Sequence, residues 1–146
     1  MRIVFDTNVL ARAHPLASGP ARRALLFAAA GSDVIVLSQY LLQELRRILT
    51  YPRILRSSGL SPLDISEYLD YLGTVCSLVH PISVPENLLR DRGDEPVLGT
   101  ALAGKADVIC TRDAHFFTEE VRQFSAMQGI QILTDLELLQ SLRLKI

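Results

Sequence analysis

Short apolar segments separated by helix-like sequence place the strongest constraint on the fold of this chain. Residues 2–5, 34–37 and 130–133 are apolar at nearly every position, and residues 107–111 have an apolar centre. Continuous apolar runs of this length are typical of strands buried on both faces of a parallel sheet. A further strand is predicted at 74–79. Because helices are predicted between most of these strands, the sequence predicts an α/β fold with a mostly parallel sheet covered on both faces.

The helix boundaries are predicted from capping residues, proline and glycine. Pro20 begins a helix that ends before Gly31, and Ser38 caps a helix that runs to about Thr50. Three further helices are predicted, from Ser61 to about Leu72, after Asp94 to about Gly104, and from Asp135 to Leu142. A chain of 146 residues with this alternation is expected to form one domain, spanning residues 1–146.

The chain has no sequence signal for a membrane or for secretion. No apolar run approaches the roughly 18 residues needed to cross a bilayer, and Asp6 follows the start too closely for a signal peptide. We therefore expect a cytoplasmic protein without membrane contact. Cys76 and Cys110 both lie in apolar strand-like segments, and we expect them to be buried free thiols.

Four acidic residues indicate a metal site: Asp6, Glu44, Asp94 and Asp113. Asp6 follows the first predicted strand, and Asp113 follows the strand at 107–111. The carboxyl ends of parallel strands meet at one edge of a sheet, where ligands bind. Acids gathered there repel one another unless a cation lies between them, and Mg²⁺ and Mn²⁺ prefer oxygen ligands. The sequence therefore predicts a site for Mg²⁺ or Mn²⁺.

Each of these acids also has a purely structural interpretation. Glu44 lies at the edge of the apolar face of its helix, where it could instead contact Arg47 three residues later. Asp94 lies in the first turn of a helix, where the helix dipole favours an acid. Asp6 could simply end a strand, and Asp113 could begin a turn. The prediction of a metal site rests on the combination of the four residues.

Basic residues are concentrated in the first part of the chain. Residues 1–60 contain eight arginines and three acids, whereas residues 61–146 contain seven basic residues and thirteen acids. Arginine contacts phosphate groups through paired hydrogen bonds, so arginines beside an acidic metal site would suit a polyanionic substrate. The alternative is an ordinary solvated basic surface.

The order of these motifs resembles that of the PIN-domain family and, within it, the VapC-like toxins of prokaryotic toxin–antitoxin pairs. The resemblance covers nearly the whole chain and rests on four segments, VFDTNVL at 4–10, SQYLLQEL at 38–45, DEPVLGTALAGKAD at 94–107 and VICTRD at 108–113. Each segment alone is a weak signal. Their combination is specific. It consists of an acid, Thr and Asn after the first strand, a Glu on a helix, an acid before an Ala-rich helix, and a last acid in the pattern Thr-x-Asp.

The resemblance implies a three-layer α/β/α domain with a parallel sheet of about five strands, and a metal-dependent ribonuclease. In such an enzyme, Mg²⁺ or Mn²⁺ activates water and offsets charge on the scissile phosphate, which leaves a 3′-hydroxyl and a 5′-phosphate. The acidic metal-binding positions of the family fall on Asp6, Glu44, Asp94 and Asp113. The family's supporting polar residues fall on Asn8, beside the first acid, and Thr111, which is expected to orient a carboxylate or water.

Several positions depart from the family pattern or leave a choice open. The family more often has Gly where Arg112 stands, and Arg112 could contact substrate phosphate or block the site. Together with Arg46 and Arg47, Arg112 is the predicted substrate-binding set. Asp91 is a second acid near Asp94. We favour Asp94 as the metal ligand because Asp94 directly precedes the helix. His115 lies in an unusual segment, and a turn or packing role is favoured over substrate contact.

The resemblance to toxins implies an RNA substrate, a cognate antitoxin that blocks the acidic pocket, and a homodimer. The apolar segment 60–78 is a candidate dimer interface, with core packing as the alternative. Other functions stay open, namely a non-catalytic PIN scaffold that binds RNA or protein and a PIN nuclease of RNA processing. A haloacid-dehalogenase-type phosphatase fits less well, because it needs a second acid where this chain has Asn8, and Lys105 lies at a helix end.

Overall fold

The computed structural model describes residues 1–90 and 92–144. In this part of the chain, five strands form one sheet, namely β1 (Arg2–Phe5), β2 (Val34–Leu37), β3 (Cys76–Leu78), β4 (Val108–Cys110) and β5 (Gln131–Leu133). Their order across the sheet is β3-β2-β1-β4-β5, and every neighbouring pair is parallel. The central strand β1 places Ile3 beside Ile35 of β2 and Val108 of β4. The predicted parallel sheet of five strands is confirmed.

Helices cover the sheet and complete the three-layer α/β/α fold. Within the described residues the α-helices are α1 (Thr7–Arg12), α2 (Pro20–Ala30), α3 (Gln39–Leu49), α4 (Pro52–Ser58), α5 (Pro62–Val75), α6 (Glu95–Ala103), α7 (Glu119–Met127) and α8 (Asp135–Arg143). Helix α2 packs against α8, whereas α3 contacts α1, α5 and α6. No helix of the described residues has the length and apolar character needed to span a membrane.

The apolar strand segments form the centre of the hydrophobic core. Ile3, Val4 and Phe5 of β1 are fully buried, and β4 is buried along its whole length. The predicted caps are present, since the Ser38 hydroxyl accepts the N–H of Leu41 at 3.3 Å. Burial of the apolar surfaces of the sheet and of its covering helices stabilises the fold. This packing holds the carboxyl ends of β1 and β4 side by side.

Three of the helices were not predicted, and the boundary between α5 and β3 differs from the predicted one. Helix α1 begins directly after β1, α4 begins at the proline that was predicted only to end α3, and α7 lies between β4 and β5. Proline is well suited to the first position of a helix because it has no N–H to leave unpaired. Helix α5 continues to Val75, where the N–H of Cys76 still bonds to the Leu72 carbonyl, and this shortens β3 to Cys76–Leu78.

The segment proposed as either core or dimer interface is mostly core. Within segment 60–78, Ile65, Leu69 and Leu72 are buried, whereas Leu63, Val75 and Leu78 are exposed. The two cysteines are free thiols, as expected. Cys110 is buried, and burial raises the pKa of its thiol, whereas Cys76 is only partly buried.

A close backbone contact packs the preceding loop against the middle of α6. The N–H of Ile82 donates to the carbonyl of Gly99 at 3.2 Å. A Cβ atom at Gly99 would lie 2.4 Å from the Ile82 carbonyl oxygen, so glycine allows the loop to pass directly over the helix. This contact helps to place Asp94, which immediately precedes α6.

Candidate active site

Asp6 and Asp113 come together because the strands that precede them are neighbours. Phe5 at the end of β1 pairs with Cys110 at the end of β4, and the N–H of Asp6 donates to the Cys110 carbonyl at 2.9 Å. The buried hydroxyl of Thr111 then links both acids. It donates to Oδ2 of Asp6 at 2.7 Å and accepts the N–H of Asp113 at 3.0 Å. Thr111 therefore orients Asp6 and fixes the backbone of Asp113.

A second group joins Asp113 to the start of α6. One ligand atom each from Asp94, Asp113 and His115 lies within 4.8 Å of the others. Nδ1 of His115 is 3.2 Å from Oδ2 of Asp94 and 3.5 Å from Oδ1 of Asp113. Oδ1 of Asp113 also accepts the N–H of His115 at 2.9 Å, so the turn itself folds the imidazole back toward the acids.

The electrostatics of Asp6 reflect burial and crowding of negative charge. Its side chain is almost wholly buried, and this burial raises the pKa of the carboxyl. The charge of Asp113 raises that pKa further. Hydrogen bonds from Thr111, from the N–H of Asn8 and from Thr7 act in the opposite direction without reversing the shift. A cation at this position would relieve both causes of the raised pKa.

The donor atoms of the site fit a hard divalent cation. Asp94 and Asp113 offer carboxylate oxygens, the ligands that Mg²⁺ and Mn²⁺ prefer. Asp6 is not one of the three grouped residues, but the Thr111 hydroxyl links its carboxylate to the backbone of Asp113. The imidazole nitrogen of His115 is a softer donor, better suited to transition metals than to Mg²⁺. The carboxylates are therefore compatible with Mg²⁺ or Mn²⁺, and a contribution from His115 would favour Mn²⁺.

Glu44, the fourth predicted acid, is not part of the group formed by Asp94, Asp113 and His115. Its carboxylate accepts hydrogen bonds from Nε of Arg47 at 3.1 Å and from a terminal guanidinium nitrogen of the same residue. The structure thus shows the local contact that was considered as the alternative. Asn8 supports Asp6 through its backbone N–H, while its side chain is exposed.

The three predicted substrate-binding arginines have different environments. Arg46 is exposed on α3. Arg47, besides its bonds to Glu44, donates to the hydroxyl of Tyr51 and lies over that ring, 5.3 Å from its centroid. Arg112 donates from Nε to Oδ1 of a buried aspartate that was not predicted as a site residue, Asp135, at 2.6 Å. Asp91, the alternative to Asp94, lies outside the described residues.

Sequence reasoning underrated two residues at this edge of the sheet. His115 contacts both Asp94 and Asp113, although a turn or packing role was favoured for it. Asp135 follows β5 by two residues, so the rule that selected Asp6 after β1 would also have selected it. Its prediction as the start of a helix was correct but did not include its contact with Arg112.

A groove of about 440 Å³ opens beside Asp113. Its walls come from α1, α3, α4 and the segment after β4. The polar and charged residues that line it beside Asp113 are Asn8, Arg12, His14, Ser57, Ser58 and Arg112, and the apolar ones are Val9, Ala11, Ile48 and Ile54. Burial lowers the pKa of the His14 imidazole, and the charge of Arg22 lowers it further. The groove thus combines an apolar surface with two arginine side chains and neutral polar groups next to the acidic group.

Comparisons with known proteins agree with this architecture. The family model described as PIN domain matches residues 2–115. Among solved structures, the chain is similar to one in the crystal structure of VapBC2 from Rickettsia felis bound to a DNA fragment from their promoter. That match has a TM-score of 0.54 and 14% identity, and covers 92% of this chain and 98% of the other. A search of curated proteins found no match. Since the family model covers most of its length, the chain belongs to the PIN-domain family.

Proposed function

We propose that this protein is an Mg²⁺- or Mn²⁺-dependent endoribonuclease that hydrolyses phosphodiester bonds of RNA. The observation that carries the proposal is the convergence of Asp94, Asp113 and His115 within 4.8 Å, with the buried Asp6 attached to the same site through Thr111. Asp6, Asp94 and the turn that carries Asp113 and His115 come from three separate parts of the chain, and no local turn or helix requires all of them. Membership of a family of nucleases supports the same reaction.

Each residue has a defined part in the proposed reaction. Asp6, Asp94 and Asp113 would hold the cation, with His115 as a fourth neighbour, and Thr111 keeps the Asp6 carboxylate oriented. The cation, when bound, would neutralise charge on the scissile phosphate and lower the pKa of water. In-line attack of a water molecule on the phosphorus would break the P–O3′ bond, and the 3′-oxygen would leave with a proton, so that the products are a 3′-hydroxyl and a 5′-phosphate. Glu44 would join this set by exchanging its contacts with Arg47 for the cation.

The substrate and the biological role are also part of the proposal. Arg46, Arg47 and Arg112 would contact RNA phosphates, since arginine binds phosphate through paired hydrogen bonds. We further propose that the protein is the cytoplasmic toxin of a toxin–antitoxin pair, acting as a homodimer that a cognate antitoxin inhibits. The likeness to a VapBC2 complex supports this role, although at 14% identity it supports the fold more strongly than the partner.

Cleavage of an end-labelled single-stranded RNA in Mg²⁺, Mn²⁺ or EDTA tests the catalytic proposal. Wild type should cut with at least one metal and lose activity in EDTA, and Asp6→Asn should be inactive under all conditions. The matched control is Glu67→Gln, which removes an exposed acid on α5 and should cut like wild type. Equal cutting by Asp6→Asn, or cutting that persists in EDTA, would contradict the proposal.

A second candidate, a non-catalytic PIN scaffold that binds RNA, is favoured by one observation. The Glu44 carboxylate is occupied by Arg47, which would leave the metal site short of one acid. In that case wild type would bind RNA in either metal without cutting it.

Induced expression in a bacterial host separates a toxin from a nuclease of RNA processing, because growth arrest that requires Asp6 is expected only of the toxin.

A further inference from the structure

We propose that the groove beside Asp113 binds the phosphodiester chain of the substrate RNA, and that Asp135 is a positioning residue which holds Arg112 as a phosphate-binding group at this groove. This inference rests on the proposed function, because it specifies how the substrate of the same site is held. It concerns residues outside the group of acids that would hold the cation.

The Arg112–Asp135 pair has one buried and one exposed partner. The Asp135 side chain is only 2% exposed, whereas that of Arg112 is 46% exposed. Nε of Arg112 donates to Oδ1 of Asp135 at 2.6 Å. Among residues 1–90 and 92–144, the guanidinium makes no other hydrogen bond. One edge of the guanidinium is therefore fixed by a buried carboxylate, while the remaining donors are available to a phosphate.

Asp135 is itself held rigidly. It is the first residue of α8, and the Thr134 hydroxyl caps that helix by accepting the N–H of Glu137 at 3.2 Å. Oδ1 of Asp135 also accepts the N–H of Leu136 at 3.1 Å. A buried carboxylate that loses its cationic partner is strongly unfavourable, so Asp135 keeps Arg112 in place. An arginine ordered before the ligand arrives loses less entropy on binding.

The surroundings of Arg112 suit a nucleic acid backbone. The groove that Arg112 and Asp113 border also contains Arg12, which is exposed on α1. Nδ1 of His14 accepts the N–H of Leu16 at 3.2 Å, which leaves Nε2 as the ring nitrogen that can donate. The arginines and neutral donors thus lie next to the carboxylates that would hold the cation. This arrangement suits a polyanion whose reacting phosphate must lie beside that cation.

Steady-state cleavage of a single-stranded oligoribonucleotide tests the role of Arg112. Arg112→Gln should raise KM about tenfold or more, since hydrogen bonds to a charged group are lost, and should leave kcat close to that of wild type. The slope of log affinity against log salt should fall by about 0.7, the value for one phosphate contact on a single strand. Arg23→Gln, which removes an exposed arginine on α2, is the matched control and should change neither quantity.

A double-mutant cycle tests whether Asp135 acts through Arg112. Asp135→Asn should raise KM in the same direction, and the double variant should be no worse than Arg112→Gln alone. A purely structural Asp135 would instead add its effect to that of Arg112 and would overturn its positioning role. Should Asp135→Asn fail to fold by circular dichroism, Arg112→Lys replaces it. This variant keeps the charge but loses the guanidinium fork, and wild-type KM in it would overturn the proposal.

The failure of this inference differs from the failure of the proposed function. If wild type cleaves RNA while Arg112→Gln has the KM and salt slope of wild type, only the groove inference is overturned. If wild type does not cleave RNA, fluorescence anisotropy of the labelled oligoribonucleotide in EDTA measures binding directly. Weaker binding by Arg112→Gln and not by Arg23→Gln would then still support the groove, and equal binding by both would overturn it.

Discussion

Replacement of Thr111 by valine should destabilise the protein far more than its size change suggests. The hydroxyl is fully buried, donates to Asp6 at 2.7 Å and accepts the N–H of Asp113 at 3.0 Å. Valine has nearly the same shape, so Thr111→Val leaves no cavity. It removes the donor to an acid and leaves the partly buried amide of Asp113 without its partner.

The size of the effect follows from these two bonds. A hydrogen bond to a charged group contributes about 1.5–3 kcal/mol, and a partly buried amide left unpaired costs about 1 kcal/mol, the lower end of the range for buried groups. Because the two effects are not additive, we expect a loss of about 3 kcal/mol in the free energy of unfolding. For a domain near 150 residues this lowers Tm by roughly 6–12 °C.

Urea denaturation followed by circular dichroism, at neutral pH in EDTA, measures the effect. Thr111→Ser is the matched control, because it keeps the hydroxyl and loses only a methyl group, and it should lose about half as much stability or less. Mn²⁺ binding provides a second readout, and Thr111→Val should weaken it about tenfold or more. Wild-type stability in Thr111→Val, or an equal loss in Thr111→Ser, would refute the reasoning.

Three further predictions concern charge, packing and metal. The pKa of Asp6 is raised by burial and by Asp113, so in EDTA the stability of wild type should fall as pH rises from about 4 through the folded-state pKa. Asp6→Asn should remove this slope and be more stable than wild type at neutral pH, as urea titrations would measure. Gly99→Ala should destabilise by about 1–3 kcal/mol because its Cβ would meet the Ile82 carbonyl, whereas Gly73→Ala, with open space around it, should not. Mn²⁺ should raise Tm in wild type and EDTA should reverse this, whereas a fixed Tm would contradict a metal site.

The parts of the fold that depend on local sequence could be predicted well. The apolar strand segments, the proline at the start of α2 and the Ser38 cap each act within a few residues, and the structure confirms them. Helix α4 was missed because a proline that ends one helix can also begin the next. The end of α5 was misplaced because helix and strand compete for the same apolar residues, and packing decides between them.

The candidate site was predictable where it depends on strand order. Asp6 and Asp113 follow strands that a parallel sheet makes neighbours, so their proximity follows from topology. Glu44 was ambiguous because Arg47 stands three residues away, and sequence spacing cannot decide between a local contact and a distant one. The proximity of His115 depends on the turn after Asp113, whose side chain accepts the N–H that folds the segment back. That geometry has no sequence signal of its own.

The central claim is that the acids at the carboxyl edge of the sheet hold a divalent cation that RNA cleavage requires. The most direct measurement is a Mn²⁺ titration followed by electron paramagnetic resonance on wild type and Asp113→Asn, with RNA cleavage assayed on the same samples. We predict that wild type binds Mn²⁺ and that cleavage rises with occupancy of this site. Asp113→Asn should lose binding and cleavage together. Cleavage by wild type without bound Mn²⁺ or Mg²⁺, or unchanged Mn²⁺ binding in Asp113→Asn, would contradict the claim.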